Sequence, residues 1–235
     1  MHYYELEWTP DLEQIYNTML TYYISLPSIL DIEGEPRLPV IYSKIEEAYE
    51  NPWNGHKQSL HLDRIQNPKD DIIEFKKLLD KYNLHNNLEF FHQCPGHEKI
   101  TNGFMPHRHI PGGVTRSRTD DGKIIDRYTG TNPGEKNTFM PTVYMQLTFP
   151  FINSHLGETL WSATYNEPFE NRRHFTEEEI TGRYTLNKNP VLFDVMTWHE
   201  GRNETNDEDR LLFGIQSKFK SFEEGVNFFK EMNKC

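Results

Sequence analysis

The sequence predicts a mainly β fold, a sandwich or barrel of six or more strands with helices at both ends, and three observations predict it. Apolar residues return at helical spacing near the N-terminus, again after residue 70, and once more at the C-terminal end. From about residue 87 the texture changes to short apolar runs between Gly, Pro, Asn and Asp clusters, as antiparallel β-structure requires. Aromatic residues make up 13% of the chain, bulky core material that offsets a hydrophobic fraction of only 35%. At 235 residues, a largely β chain fits one domain with a full core.

Each element follows from local pattern. Residues 10 to 30 begin Pro-Asp-Leu-Glu and place Leu12, Ile15, Tyr16, Met19, Leu20 and Tyr23 on one helical face. Residues 31 to 70 are rich in Pro, Asn and Asp and are expected to wrap the core irregularly. Asp70 to Leu84, with Ile72, Ile73, Phe75, Leu78 and Leu79, again reads as a helix. The strand candidates are Leu88–Phe91, Gly103–Ile110, Thr142–Phe149, Thr159–Tyr165, Val191–Thr197 and Arg210–Phe219. Asp120 to Lys136 holds Asp120-Asp121-Gly122 and Thr131-Asn132-Pro133-Gly134, strong turn signals that mark an insertion or hairpin tip. Ser221-Phe222-Glu223-Glu224 spells a capping box before a short C-terminal helix. The chain thus divides into an N-terminal support (1–86), a barrel (87–219) and a C-terminal helix (220–235) of one domain.

Charge and cysteine content exclude several classes. With 36 acidic against 25 basic residues the net charge is −11, which disfavours nucleic acid and anionic membrane as partners. Cys94 and Cys235 are the only cysteines, too few for a disulfide framework, so a reducing compartment is expected. The N-terminal Met1-His2-Tyr3-Tyr4-Glu5 lacks a basic and apolar leader, and no run of about 18 apolar residues occurs. A cytoplasmic location is the expectation.

The chemistry concentrates in two fragments, Pro106-His107-Arg108-His109 and Trp198-His199 with Arg210 beyond it. On a strand, His107 and His109 would share a face. His199 closes an apolar run, Val191 to Trp198, that reads as one buried strand whose inward residues are Val191, Phe193, Val195 and Thr197. Arg210 opens Leu211-Leu212-Phe213-Gly214-Ile215 and shares a face with Leu212, Gly214 and Gln216. The two strands are expected to pair as neighbours. Imidazoles are the commonest ligands for borderline metals, and an inward arginine suits a carboxylate through paired hydrogen bonds. Tyr144, Gln146 and Thr148 alternate along their strand and are expected to line the cavity, with Val143, Met145 and Leu147 in the core. Trp161 and Trp198 read as packing residues, and Cys94-Pro95-Gly96-His97 as a turn.

The ordered set Met105-Pro106-His107, Arg116 and Arg118, Val191-Leu192-Phe193-Asp194 leading to His199-Glu200, then Asp209-Arg210-Leu211-Leu212-Phe213, resembles the aspartyl/asparaginyl β-hydroxylase branch of the Fe(II)- and 2-oxoglutarate-dependent oxygenases. The resemblance covers about residues 103–119 and 190–216. It implies a double-stranded β-helix, a jelly-roll or cupin-like barrel, with His107 and His199 as catalytic iron ligands and Arg210 gripping the cosubstrate's distal carboxylate. Arg116 or Arg118 would match a second anion-binding position, and Tyr144, by its strand alternation, is a further cofactor-binding candidate.

The wider superfamily places a carboxylate two residues after its first histidine, where this chain has His109. Three ligand sets follow: His107, His109 and His199; two histidines completed by water; or a carboxylate from elsewhere, Glu158 or Asp126. A rival resemblance, to a cupin, uses the same histidines through Gly103-x3-His107-x-His109 and His199-x3-Asn203, but lacks the cupin glutamate in residues 111–115. The expected activity is a non-haem dioxygenase, with Fe(II) and 2-oxoglutarate, hydroxylating an amino acid, peptide or other small molecule. The alternative is a cupin-like barrel that binds metal or ligand without oxygenase activity. An assembly up to a homodimer is compatible with the sequence.

Overall fold

The computed structural model describes residues 1–24, 29–30, 36–37, 49–50, 57–65, 67–93, 103–108, 114–118, 124–128, 145–166, 173–203 and 210–232. In chain order its elements begin with β1 (Tyr3–Glu5), α1 (Pro10–Ile24), β2 (Ile29–Leu30), β3 (Pro36–Arg37), β4 (Tyr49–Glu50) and β5 (Lys57–His61). There follow α2 (Asp70–Lys81), β6 (Leu84–Gln93), β7 (Gly103–His107), β8 (Val114–Arg118) and β9 (Ile124–Tyr128). The chain continues with β10 (Met145–Pro150), β11 (Gly157–Ser162), β12 (Gly182–Thr185), β13 (Val191–Asp194), β14 (Trp198–Asn203), β15 (Arg210–Ser217) and α3 (Phe222–Met232).

The helices start where their caps allow. The Thr9 hydroxyl accepts the Leu12 N–H at 3.3 Å, and the Ser221 hydroxyl accepts the Glu224 N–H at 3.1 Å, satisfying donors that a first helical turn leaves open. Helix α2 stops at Lys81 and not at Leu84, because Asn83 takes a left-handed conformation (φ 53°) and turns the chain into β6. Residues 31–70, expected to be irregular, contribute β5, which pairs antiparallel with β6 through Leu60 and Leu88.

Two antiparallel sheets carry the fold. The larger has the order β1-β13-β10-β15-β6-β5-β4 and the smaller β12-β11-β14-β7. From β6 onward the chain passes repeatedly between them, with β6, β10, β13 and β15 in the larger and β7, β11, β12 and β14 in the smaller. Strands β8 and β9 form a hairpin sheet of their own, in the region whose turn signals predict one.

Side-chain alternation sorts the layers. On β10, β13 and β15 the residues Met145, Leu147, Leu192, Leu211, Phe213 and Ile215 point to one side, where they meet Leu12, Ile15 and Met19 of α1, Phe75 and Leu79 of α2, and Phe229 of α3. The helices therefore cover one face of the larger sheet. Its other face sends Val191, Phe193 and Leu212 against Trp161 of β11, so the two sheets face each other across this second core. Leu160, on the far side of β11, packs with Tyr165 and Phe175 under the chain that follows. Among the described residues no helix is long and apolar enough to cross a membrane.

Candidate metal centre

The apolar run ahead of His199 is not one strand. It breaks at Asp194, whose carboxylate accepts the N–H groups of Met196 (2.9 Å) and Thr197 (3.4 Å) and the Thr197 hydroxyl (2.7 Å). A short acidic side chain satisfying the next backbone donors is what turns an extended chain. Val191–Asp194 stays in the larger sheet as β13, and Trp198–Asn203 enters the smaller as β14. The expected pairing of the His199 and Arg210 strands is overturned with it. Strand β10 separates β13 from β15, and β14 lies between β11 and β7.

The new partners of β14 bring the histidines together. His199 stands opposite Trp161 of β11 on one side and opposite His107 of β7 on the other. Trp161 faces the inter-sheet core, whereas Leu160, paired with Glu200, faces away from it. His199 therefore lies on the inner face, with His107 as its register partner on β7. Directly opposed residues of an antiparallel pair have Cβ atoms about 4.5–5.5 Å apart. Arg108, next along the chain, lies over the Trp198 ring at 5.2 Å, and Trp198 belongs to the outer cluster. His109 and Tyr144 lie outside the described residues, as does the Cys94–His97 turn.

His199 is only 8% exposed, and its Nδ1 lies 2.9 Å from the Thr197 carbonyl oxygen. A carbonyl only accepts, so Nδ1 carries the proton and the neutral ring holds its lone pair on Nε2. Burial pushes the His199 pKa below the ordinary 6.5, opposed by this hydrogen bond and by the charge of Asp194. A buried, neutral imidazole with one nitrogen tied to backbone is the form in which histidine ligates metal.

Arg210 enters the same interior and is 1% exposed. Its Nε donates to the Ser154 carbonyl at 3.1 Å and its Nη2 to the Gly157 carbonyl at 3.2 Å, contacts that fix the plane of the guanidinium. Gly157 makes room for it, since an added Cβ would stand 2.8 Å from Nη1. Beyond Arg210, Gln146 donates to the Thr148 hydroxyl at 3.2 Å and Gln216 to the Glu89 carboxylate at 2.8 Å. The expected alternation on β10 thus holds for Gln146 and Thr148 against Met145 and Leu147.

Glu158 cannot complete the ligand set. It pairs with Arg202 in the β11–β14 ladder, on the Leu160 side of the sheet, and its carboxylate accepts from Arg183 at 3.2 Å. The one-residue step from Gly157 reverses the face. Arg116 and Asp126 are cross-strand partners in the β8–β9 hairpin. Among the described residues, no three His, Cys, Asp or Glu side chains form a metal-holding group.

Sequence reasoning missed a buried ionic knot behind His199. Glu200 is fully buried and accepts from Arg202 (2.5 Å), the Nδ1 of His174 (2.8 Å) and the Phe175 N–H (3.3 Å), pinning the chain after β11 to the back of the smaller sheet. Its signal was the polar Glu200-Gly201-Arg202 at strand spacing after an apolar run, readable only once the segment around Phe175 is known to cover the outer face of β14.

No family model and no curated protein match the sequence. Among solved structures, the chain is similar to SnoN, a non-haem alpha-ketoglutarate dependent epimerase from nogalamycin biosynthesis, at 12% identity and a TM-score of 0.40, over 92% of this chain and 76% of that one. It is also similar to CytC3 with Fe(II) and alpha-ketoglutarate, at 14% identity and a TM-score of 0.37, over 92% of this chain and 72% of that one. HygX from Streptomyces hygroscopicus, with nickel, 2-oxoglutarate and hygromycin B bound, matches at 8% identity and a TM-score of 0.36, over 93% of this chain and 83% of that one.

Proposed function

We propose that this chain is a mononuclear non-haem iron oxygenase that uses 2-oxoglutarate, built on a double-stranded β-helix. The observation that carries the reading is the register of β14: His199 and His107 stand directly opposite each other in the β14–β7 ladder of the smaller sheet. Two histidines at facing register positions of neighbouring strands would supply half of a site for a borderline divalent metal, and the tied Nδ1 of His199 leaves Nε2 as its ligating atom. His109, two residues beyond His107, is the third protein ligand in this reading. The interleaving of strands between two facing sheets supports the double-stranded β-helix.

Arg210 holds the cosubstrate's distal carboxylate. Its guanidinium is anchored at Gly157, four residues along β11 from Trp161, the partner of His199. Four strand residues span about 13 Å at roughly 3.3 Å each. Bound iron would supply the activation of dioxygen, with the keto acid as reductant and a C–H bond of an amino acid, peptide or other small molecule as target. The protein's work is to bind and orient: the histidines hold the metal, Arg210 fixes the dicarboxylate, and the Val191, Phe193 and Trp161 wall excludes water.

The test is anaerobic addition of Fe(II) and 2-oxoglutarate to the purified chain. A visible charge-transfer band that is lost in His199→Ala and in His107→Ala is the expected result. A protein that shows no band, with or without those substitutions, is a ligand-binding barrel and not an oxygenase.

A further inference from the structure

Asp194 sits where the two sheets exchange the chain, and its contacts converge on His199. Its carboxylate takes the N–H groups of Met196 and Thr197 and the Thr197 hydroxyl, so it holds the residue whose carbonyl receives the His199 Nδ1 proton. Its own carbonyl accepts the indole N–H of Trp161 at 2.9 Å, and Trp161 is the cross-strand partner of His199. Its backbone N–H donates to the His2 carbonyl at 2.8 Å, and the His2 ring stands 3.6 Å from the carboxylate and stacks on Trp161 at 5.8 Å. One side chain and its peptide therefore set both the strand that carries His199 and the wall beside it.

We infer that Asp194 is a positioning residue for the metal centre: through the Thr197 carbonyl it holds His199 in the Nδ1–H tautomer, with Nε2 aimed into the site. For its metal the inference rests on the iron reading above, while the tautomer is a property of the apoprotein. Without Asp194, the Met196 and Thr197 amides lose their acceptor and the Thr197 carbonyl loses its fixed direction. The His199 ring is then free to rotate and to exchange its proton between the two nitrogens. Partners that orient a ligating histidine typically change metal affinity by about 10- to 100-fold.

Two measurements on the full chain test this. Co(II) titration of the apoprotein reads the site, and ring 15N chemical shifts of His199 read the tautomer with no metal present. Asp194→Ala is expected to bind Co(II) about 10- to 100-fold more weakly and to show a mixture of tautomers. Asp194→Asn keeps an acceptor for the two amides and is expected to restore most of both, whereas Thr197→Val, which deletes one hydroxyl, falls between. If Asp194→Ala fails to show a cooperative melt, the other two variants decide. Wild-type affinity and a pure Nδ1–H tautomer in every folded variant would overturn the inference. A wild-type protein that binds no Co(II), or a His199→Ala protein that binds it equally well, overturns the iron reading instead, and the tautomer then stands as the test of positioning.

Discussion

Alanine at Gly157 tests how Arg210 is seated. Gly157 has extended backbone angles (φ −157°, ψ 162°) that any residue adopts, so the effect of a methyl group there is steric. The added Cβ would lie 2.4 Å from the Arg202 carbonyl oxygen and 2.9 Å from the Arg210 Cζ. Ordinary carbon–oxygen contacts begin near about 3.3 Å, and a carbonyl inside a paired strand cannot rotate away. The β11–β14 ladder must open by close to an ångström at its first pair, an overpacking that costs about 1–3 kcal/mol. Arg210 must also shift, and losing one of its hydrogen bonds to a buried carbonyl adds about 1.5–3 kcal/mol. Gly157→Ala is therefore expected to lose about 3–5 kcal/mol, with Tm lower by at least about 6 °C for a chain of this size. Denaturant unfolding measures the first quantity, and calorimetric titration with 2-oxoglutarate is expected to show weaker binding from the displaced guanidinium. Gly182→Ala is the control, because its Cβ would come too close only to the His2 side chain, at 2.8 Å, with Trp161 at an ordinary 3.7 Å, and should cost less than about 1 kcal/mol. Equal costs for the two glycines, or a Gly157→Ala protein within about 1 kcal/mol of wild type, would refute the steric argument.

Two further outcomes follow from buried ionisable groups. Glu200→Ala leaves Arg202 and the Phe175 amide without their buried acceptor, at a cost of about 3 kcal/mol in denaturant unfolding, the low end of the range for breaking a buried pair because Arg202 is 27% exposed; Glu179→Gln, which breaks the exposed pair with Arg173, should cost less than about 1 kcal/mol. Burial, and then the nearby Lys218 charge, holds the His85 pKa below its ordinary 6.5; the unfolded chain then binds a proton the folded one refuses, so stability is full above pH 6.5 and falls as pH drops below it. An NMR titration of His85 with a midpoint at or above 6.5, or an unfolding free energy whose acid slope is unchanged in His85→Leu, would contradict this.

Much of the scaffold was legible because its signals are local. The face of α1 is readable from Leu12, Ile15 and Met19 at helical spacing, and all three are buried in the core. The alternation on β15 is readable in the same way: Leu211, Phe213 and Ile215 go to the helices, and Leu212 goes to the inter-sheet core. Sheet order is different in kind. Val191 to Trp198 has the same apolar content whether it runs straight or crosses between sheets, and only Asp194 with Thr197 three residues later marked the corner. The buried polar pair of Gln216 and Glu89 was equally hidden, because a polar residue at alternate positions of a strand looks the same whether it faces water or a partner from another strand.

The candidate metal centre shows where local reasoning gives way. The spacing of His107 and His109 points to convergence along one strand. The convergence that the structure describes runs across strands, between His107 and His199, and depends on the antiparallel register of β7 with β14. That register shifts between His199 and Gly201, since His199 pairs with His107 while Gly201 pairs with Phe104. A bulge of this kind re-aims a side chain by placing an extra residue on one strand, and bulges gather next to active sites. Without the shift, continuing the Gly201–Phe104 register would set His199 opposite Pro106 in place of His107. The facing of the two histidine positions is thus a property of strand register, set by β11 on one side of β14 and the irregular β7 edge on the other. No spacing within either fragment encodes it.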